Sequence, residues 1–119
     1  MALTVQNECK KAALDGITAL ITKIRFDSAA DAELAVLPLS WAGASTASPS
    51  VAVGTATADT SVTAGTITKF LFQTAGSATR INGTVGVGSG DLQVSDNVIP
   101  GGATQVTSTG GISLSLQIT

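Results

Sequence analysis

The segment from Ala64 to Val94 constrains the fold most, because its apolar residues recur at every second position. Side chains of an extended strand alternate between its two faces, so Thr68, Phe70 and Phe72 share one face. The alternation stops at Ala75-Gly76-Ser77 and at the glycine-rich segment 86–91, and otherwise continues through Ile81, Val85, Val87, Leu92 and Val94. This pattern predicts a strand, a turn, a second strand, a glycine-rich turn and a short strand.

The C-terminal segment 111–119 is the other regular stretch. Ile112, Leu114, Leu116 and Ile118 alternate with Ser113, Ser115 and Gln117. Phe70 and Phe72 are the largest apolar side chains of the central segment, so we expect them at the centre of the core. The sequence therefore predicts that these two phenylalanines and the four C-terminal aliphatic residues are buried together.

The chain begins with a predicted helix from Thr4 to Ile21. Thr4 is the expected N-cap, and Glu8 lies near the positive helix end. The apolar positions recur at helical spacing, and they are Val5, Cys9, Ala12, Ala13, Leu14, Ile17, Leu20 and Ile21. Such a helix needs a surface to pack on, which is either its own sheet or a partner. We expect at least part of this face to lie at a contact with another subunit or with a partner protein.

The remaining segments read as short strands separated by turns. Strands are predicted at 22–27, at 34–39, at 51–60 and around Val106, with a turn at 100–102. Pro38 lacks a backbone donor, so its strand is expected to lie at a sheet edge or to end there. The predicted fold is one mainly β domain, residues 1–119. Its helix (1–21) precedes an antiparallel β-sandwich (22–119), Ig-like or jelly-roll-like.

The residue types that most catalysis requires are missing. The chain has no histidine, no tyrosine and one cysteine, so the common general base and zinc ligand sets are absent. Asp27, Asp31 and Glu33 lack the spacing of a calcium loop and are expected in a solvated loop. The glycines at 86, 88 and 90 lack the ending of a phosphate-binding loop. We therefore expect that the protein is not an enzyme and that it binds neither a metal nor a cofactor.

Low charge is the main compositional feature. Only 12% of the residues are charged, and the net charge is −2, which gives no electrostatic basis for nucleic-acid binding. Two explanations of the low charge are open. Neighbouring proteins cover much of the surface, or the chain is an isolated β domain whose outer face is rich in threonine because threonine favours strands. No apolar run is long enough to span a membrane, and residues 1–9 do not resemble a signal peptide, so synthesis in the cytoplasm is expected.

Two single residues have alternative interpretations. Cys9 is expected to be a small buried apolar residue, and the alternative is an intermolecular disulfide in an assembly. Trp41 is expected to cover the end of the core, and the alternative is a platform for carbohydrate. Val5, Cys9, Ala13 and Trp41 are the candidate interface residues.

The order of several short motifs resembles a group of small structural proteins of tailed bacteriophages and prophages. The motifs follow the helix along nearly the whole chain, at 24–27, 37–45, 64–66, 70–72, 82–86, 89–92 and 99–102. The connection between Phe26 and Leu34 is shorter than in that group, so its contacts do not transfer.

The resemblance implies a virion structural protein without catalytic residues. The expected function is capsid decoration, as a homo-oligomer bound to the major capsid protein in the virion. A tail or head–tail connector protein and a carbohydrate-binding, adhesin-like sandwich are the alternatives. Neither nucleic acid nor membrane is expected as a partner.

Overall fold

The computed structural model describes residues 6–42, 51–103 and 112–115. In these ranges the chain forms one helix and nine strands. They are α1 (Asn7–Leu20), β1 (Lys23–Asp27), β2 (Glu33–Ala42), β3 (Val51–Ala56), β4 (Gly65–Thr66), β5 (Lys69–Gln73), β6 (Thr79–Gly86), β7 (Leu92–Gln93), β8 (Val98–Ile99) and β9 (Ile112–Ser115). The predicted mainly β fold with a single N-terminal helix is confirmed.

Seven strands form one curled sheet in the order β7-β6-β5-β1-β2-β3-β9. All neighbours in it are antiparallel except β6 and β7, which are parallel. Strands β4 and β8 form a separate two-stranded ribbon. The C-terminal strand β9 pairs with β3, so the end of the chain is added to a sheet that earlier strands build.

The inner face of the sheet carries the core. Ile24 pairs with Leu37 on one side and Phe72 on the other, and Phe26 pairs with Phe70. All five side chains are at most 7% exposed, so the predicted central position of the two phenylalanines is confirmed. The side-chain burial predicted for Ile112 and Leu114 lies outside what the structure describes, as do residues 116–119 and the strand predicted around Val106.

The ribbon and the helix supply further parts of the core. Ile67 and Ile99 come from the ribbon region, and Ile21 follows α1; all three belong to the same buried cluster as Phe72. Helix α1 begins at Asn7, with Gln6 in the extended N-cap position and no side-chain cap. The predicted start at Thr4 is therefore wrong, whereas Glu8 lies in the first turn as expected.

Strand β2 is longer and more central than predicted. It continues through Pro38 to Ala42 and lies between β1 and β3, so the prediction that it is an edge strand or ends at Pro38 is wrong. Residues 33–38 pair with β1, whereas residues 39–42 pair with β3. Pro38 therefore lies where β2 changes partner, and beside it the Asp59 carboxylate accepts the Val36 backbone N–H at 2.8 Å.

The glycine-rich segment forms a tight loop between β6 and β7. Thr84 and Asp91 close its base, and Gly88 and Gly90 adopt positive φ angles of 73° and 91°. A side chain at Gly86 would lie 2.7 Å from the Ser89 carbonyl oxygen. Val87 lies in this loop and is 57% exposed, so the alternation expected to continue through Val87 ends with β6, whereas the predicted glycine-rich turn is confirmed.

Candidate functional site

Trp41 is packed into the end of the core. Its ring lies over Gly54, and its centroid is 5.9 Å from that of Phe72 in an edge-to-face arrangement. Its indole N–H donates a hydrogen bond to the Ile21 carbonyl oxygen at 3.0 Å. These contacts match the expectation that Trp41 covers the core, and they use the polar atom and ring surface that a sugar platform requires.

Helix α1 packs on the sheet through residues spaced four and three apart. Leu14 and Thr18 are buried, and so is Ile21 directly after the helix. Thr18 satisfies its hydroxyl by donating to the Asp15 carbonyl oxygen at 3.2 Å. Cys9 is exposed, so the expectation of a buried thiol is wrong. The reason is geometric, because at 100° per residue Cys9 lies on the far side of the helix from Thr18.

The opposite side of α1 is apolar and exposed. We call it the helix stripe, and it consists of Cys9, Ala12, Ala13, Gly16 and Leu20. Leu20 is 58% exposed. The helix charges lie beside the stripe, where Lys11 and Asp15 form an ion pair one turn apart. Small side chains without charge leave the helix backbone open to close approach by another surface.

A second candidate surface is a depression of about 320 Å³ on the outer face of β1, β5 and β6. We call it the outer depression. It is lined by Asp27, Asp31, Lys69, Phe70, Leu71, Asn82, Gly83 and Thr84. The strand register explains the grouping, because Asp27 pairs with Lys69, Lys69 with Thr84, and Leu71 with Asn82. Side chains on paired positions share a face, so three strands contribute to one surface.

The charged groups of the outer depression are paired with one another. Arg25 Nε donates to Asp27 Oδ1 at 2.6 Å, and Asp27 is only 2% exposed. That hydrogen bond, together with the nearby carboxylates, raises the pKa of Arg25 above its ordinary value. Lys69 forms an ion pair with Asp31. The carboxylates of Asp27 and Asp31 therefore have cationic partners, and Glu33 Oε1 lies 3.9 Å from Arg25 Nε.

Across residues 6–42, 51–103 and 112–115, no three acidic, histidine or cysteine side chains are placed to hold a metal ion together. In the same ranges, no helix has the length and apolar character needed to cross a membrane. The expected absence of a metal requirement stays a prediction.

Comparison of the chain with protein-family models, with curated proteins and with solved structures finds no match in any of the three.

The structure brings together only some of the predicted interface residues. Cys9 and Ala13 lie one turn apart on the helix stripe, whereas Trp41 packs against the carbonyl of Ile21 beyond the other end of the helix. Val5 lies outside the described residues. The outer depression was missed, although the alternation that buries Phe70 and Phe72 also places Lys69 and Leu71 on the other face.

Proposed function

We propose that this chain is a structural protein of bacteriophage particles, and specifically a decoration protein that binds the capsid lattice and associates with its own copies. The helix stripe is the observation that carries this proposal. The solvent-exposed face of an amphipathic helix is usually polar, whereas the exposed face of α1 carries Cys9, Ala13 and Leu20. An exposed apolar stripe of this kind is typical of a protein-binding surface.

The small residues of the stripe favour a helix as the contacting surface. The axes of packed helices lie about 8–10 Å apart, and the shortest of these distances require small side chains at the contact. Ala13 and Gly16 occupy the middle of the stripe and meet this need. A second copy of α1 is the partner that we propose, with repeated copies on a lattice strengthening weak contacts through avidity.

The virion location comes from the resemblance in motif order, and low charge supports it. Surface charges keep free proteins from associating, and a protein that is bound among neighbours needs fewer of them. Only 12% of the residues of this chain are charged. The proposed role is binding rather than catalysis, since the chain contains no histidine and its one cysteine lies on the exposed stripe.

Immunogold labelling tests the virion location. Antibodies raised against the chain would be applied to intact phage particles from a lysogen that carries its gene. Gold distributed over the whole head is expected for a decoration protein. Gold confined to the tail or to one vertex would assign the chain to the tail or the connector, and unlabelled particles would contradict a virion role.

A further inference from the structure

We propose that Asn82 is a site of spontaneous deamidation and that the pairing of β6 with β5 controls the rate of this reaction. Asn82 is exposed on β6 and is followed by Gly83. The modification concerns the chain itself, so it requires neither the self-association through the helix stripe nor the virion role proposed above.

The dipeptide Asn82-Gly83 contains both reacting groups. The backbone nitrogen of Gly83 attacks Cγ of Asn82, the bond from Cγ to Nδ2 breaks, and ammonia leaves with the proton that the Gly83 nitrogen gives up. Water then opens the cyclic imide at either of its two carbonyls, which leaves aspartate or isoaspartate at position 82. Glycine has no side chain to hinder the attack, whereas the other asparagines, Asn7 and Asn97, precede larger residues.

The sheet keeps the Gly83 nitrogen away from the carboxamide. The Val85 N–H donates to the Thr68 carbonyl oxygen at 2.9 Å. The N–H groups of an antiparallel strand point alternately to its two edges, so the Gly83 N–H, two residues earlier and paired with Phe70, is also directed at β5. Strand side chains stand roughly perpendicular to the sheet, so the Asn82 carboxamide lies away from this N–H. The imide ring therefore closes only after β6 separates locally from β5.

The place of β6 in the sheet makes such a separation possible. Among the described strands only β7 lies beyond β6, and it pairs with Val85 and Gly86 alone. In that part of the chain, β5 is the one strand that holds residues 79–83. Segments with few neighbours open at a lower free energy than the centre of a sheet, so Asn82 reacts through local opening of β6.

Packing fixes the glycine of this dipeptide. A β-carbon at Gly83 would lie 2.7 Å from Phe70 Cε1 and 2.8 Å from Asp91 Oδ2. A larger residue would therefore displace a core ring and the carboxylate that closes the loop after β6. The residue that the packing requires at position 83 is also the residue that leaves Asn82 most reactive.

The two products are expected to differ in stability. Asn82 lines the outer depression, where three carboxylates already lie beside two cations. Aspartate adds one more exposed negative charge there and keeps the backbone unchanged. Isoaspartate adds a carbon to the backbone of β6, so the pairing of Gly83 with Phe70 and of the residues after it loses its register. Isoaspartate is therefore expected to lower the melting temperature more than aspartate does.

Incubation of the full chain at mildly alkaline pH, with and without urea, tests the proposal. Mass spectrometry of its peptides locates each deamidated residue and measures its rate. Asn82 is expected to react at least about tenfold more slowly in the folded chain than in the unfolded chain, because only the open fraction reacts. A synthetic peptide of residues 79–86, incubated in both buffers, corrects for any effect of urea on the chemistry.

Three variants connect the rate to the strand pairing. Phe72→Ala removes the ring on β5 that pairs with Ile81 on β6, so deamidation of Asn82 without urea is expected to become faster. Gly76→Ala, in the turn between the two strands, is expected to leave the rate unchanged because its β-carbon would have no close contact. Asn82→Gln is expected to remove the signal, since its longer side chain does not form the same five-membered ring.

Two results would overturn the proposal. The first is an equal rate at Asn82 in the folded and unfolded chains, which would show that the sheet does not control the reaction. The second is an unfolded chain in which Asn97 deamidates as fast as Asn82. Neither result bears on self-association through the helix stripe, so the two proposals fail separately.

Discussion

Thr84 and Asp91 bind each other through three hydrogen bonds across the loop between β6 and β7. The backbone N–H and the hydroxyl of Thr84 both donate to Asp91 Oδ2, at 3.0 and 3.1 Å, and the Asp91 N–H donates to Thr84 Oγ1 at 3.1 Å. The two bonds to the carboxylate lower the pKa of Asp91 below its ordinary value.

This relationship predicts a pH dependence of stability. A carboxyl group with a lower pKa in the folded state stabilises the fold above its unfolded pKa of about 4. That stabilisation is lost as the pH falls through the lower folded value. The difference in melting temperature between the natural chain and Asp91→Asn is therefore expected to shrink as the pH falls from about 6 to 2. A difference that stays constant with pH would contradict this assignment.

The burial of Phe72 predicts how much the fold is destabilised when its ring is removed from the core. It is 3% exposed, and its ring contacts those of Phe70 and Trp41, at centroid distances of 5.2 and 5.9 Å. Phe72→Ala is expected to lower the free energy of unfolding by about 3–5 kcal/mol, measured by urea denaturation. Leu71→Ala on the same strand but the other face is the control, with a smaller expected loss. A change below about 1 kcal/mol for Phe72→Ala would show that this face is not the core.

The close contact between the Trp41 ring and Gly54 predicts that a larger residue at position 54 is unfavourable. A β-carbon at Gly54 would lie 3.0 Å from Trp41 Cε3, so the indole must shift to accept it. Gly54→Ala is expected to destabilise the fold by about 1–3 kcal/mol and to change tryptophan fluorescence. Gly76→Ala is the matched control, because the nearest atom to its β-carbon would be Thr74 Oγ1 at 3.9 Å. Equal stability of the two variants would rule out the close contact.

Local alternation predicts β1, β5 and β6 well, because each strand has one buried face and a clear turn after it. The position of Pro38 was predicted wrongly because sheet order depends on long-range pairing. A proline suggests an edge, but β2 accommodates it where pairing passes from β1 to β3. The outer depression depends on the same long-range order, since β1 must lie beside β5 before Asp27 can meet Lys69.

The sequence predicts that the N-terminal segment is a helix, but it does not predict which side of the helix packs on the sheet. Its apolar residues form one broad arc, with Leu14 at one margin and Cys9 and Ala13 towards the other. Periodicity measures how apolar residues are spaced and does not say which part of a broad apolar face meets the sheet. The larger side chain of Leu14 fills the space against the sheet better than the small residues do.

The exposure of Cys9 predicts its reactivity. In dilute protein, Ellman's reagent is expected to titrate one thiol per chain without denaturant, because Cys9 is exposed on the helix stripe. At concentrations where copies associate through the stripe, the rate is expected to fall. A thiol that reacts only after unfolding would show that Cys9 is buried and that α1 packs in another orientation.

Sedimentation velocity tests self-association through the helix stripe most directly. The natural chain would be compared over a wide concentration range with Ala13→Glu, which places a charge in the middle of the stripe. Asn7→Glu adds the same charge to an exposed position of α1 outside the stripe, and so serves as the control.

The account predicts that the natural chain and Asn7→Glu grow in mass with concentration, whereas Ala13→Glu stays a folded monomer, because burying an unpaired carboxylate is unfavourable. A natural chain that remains monomeric at every concentration, or an Ala13→Glu variant that associates as strongly as Asn7→Glu, would contradict it.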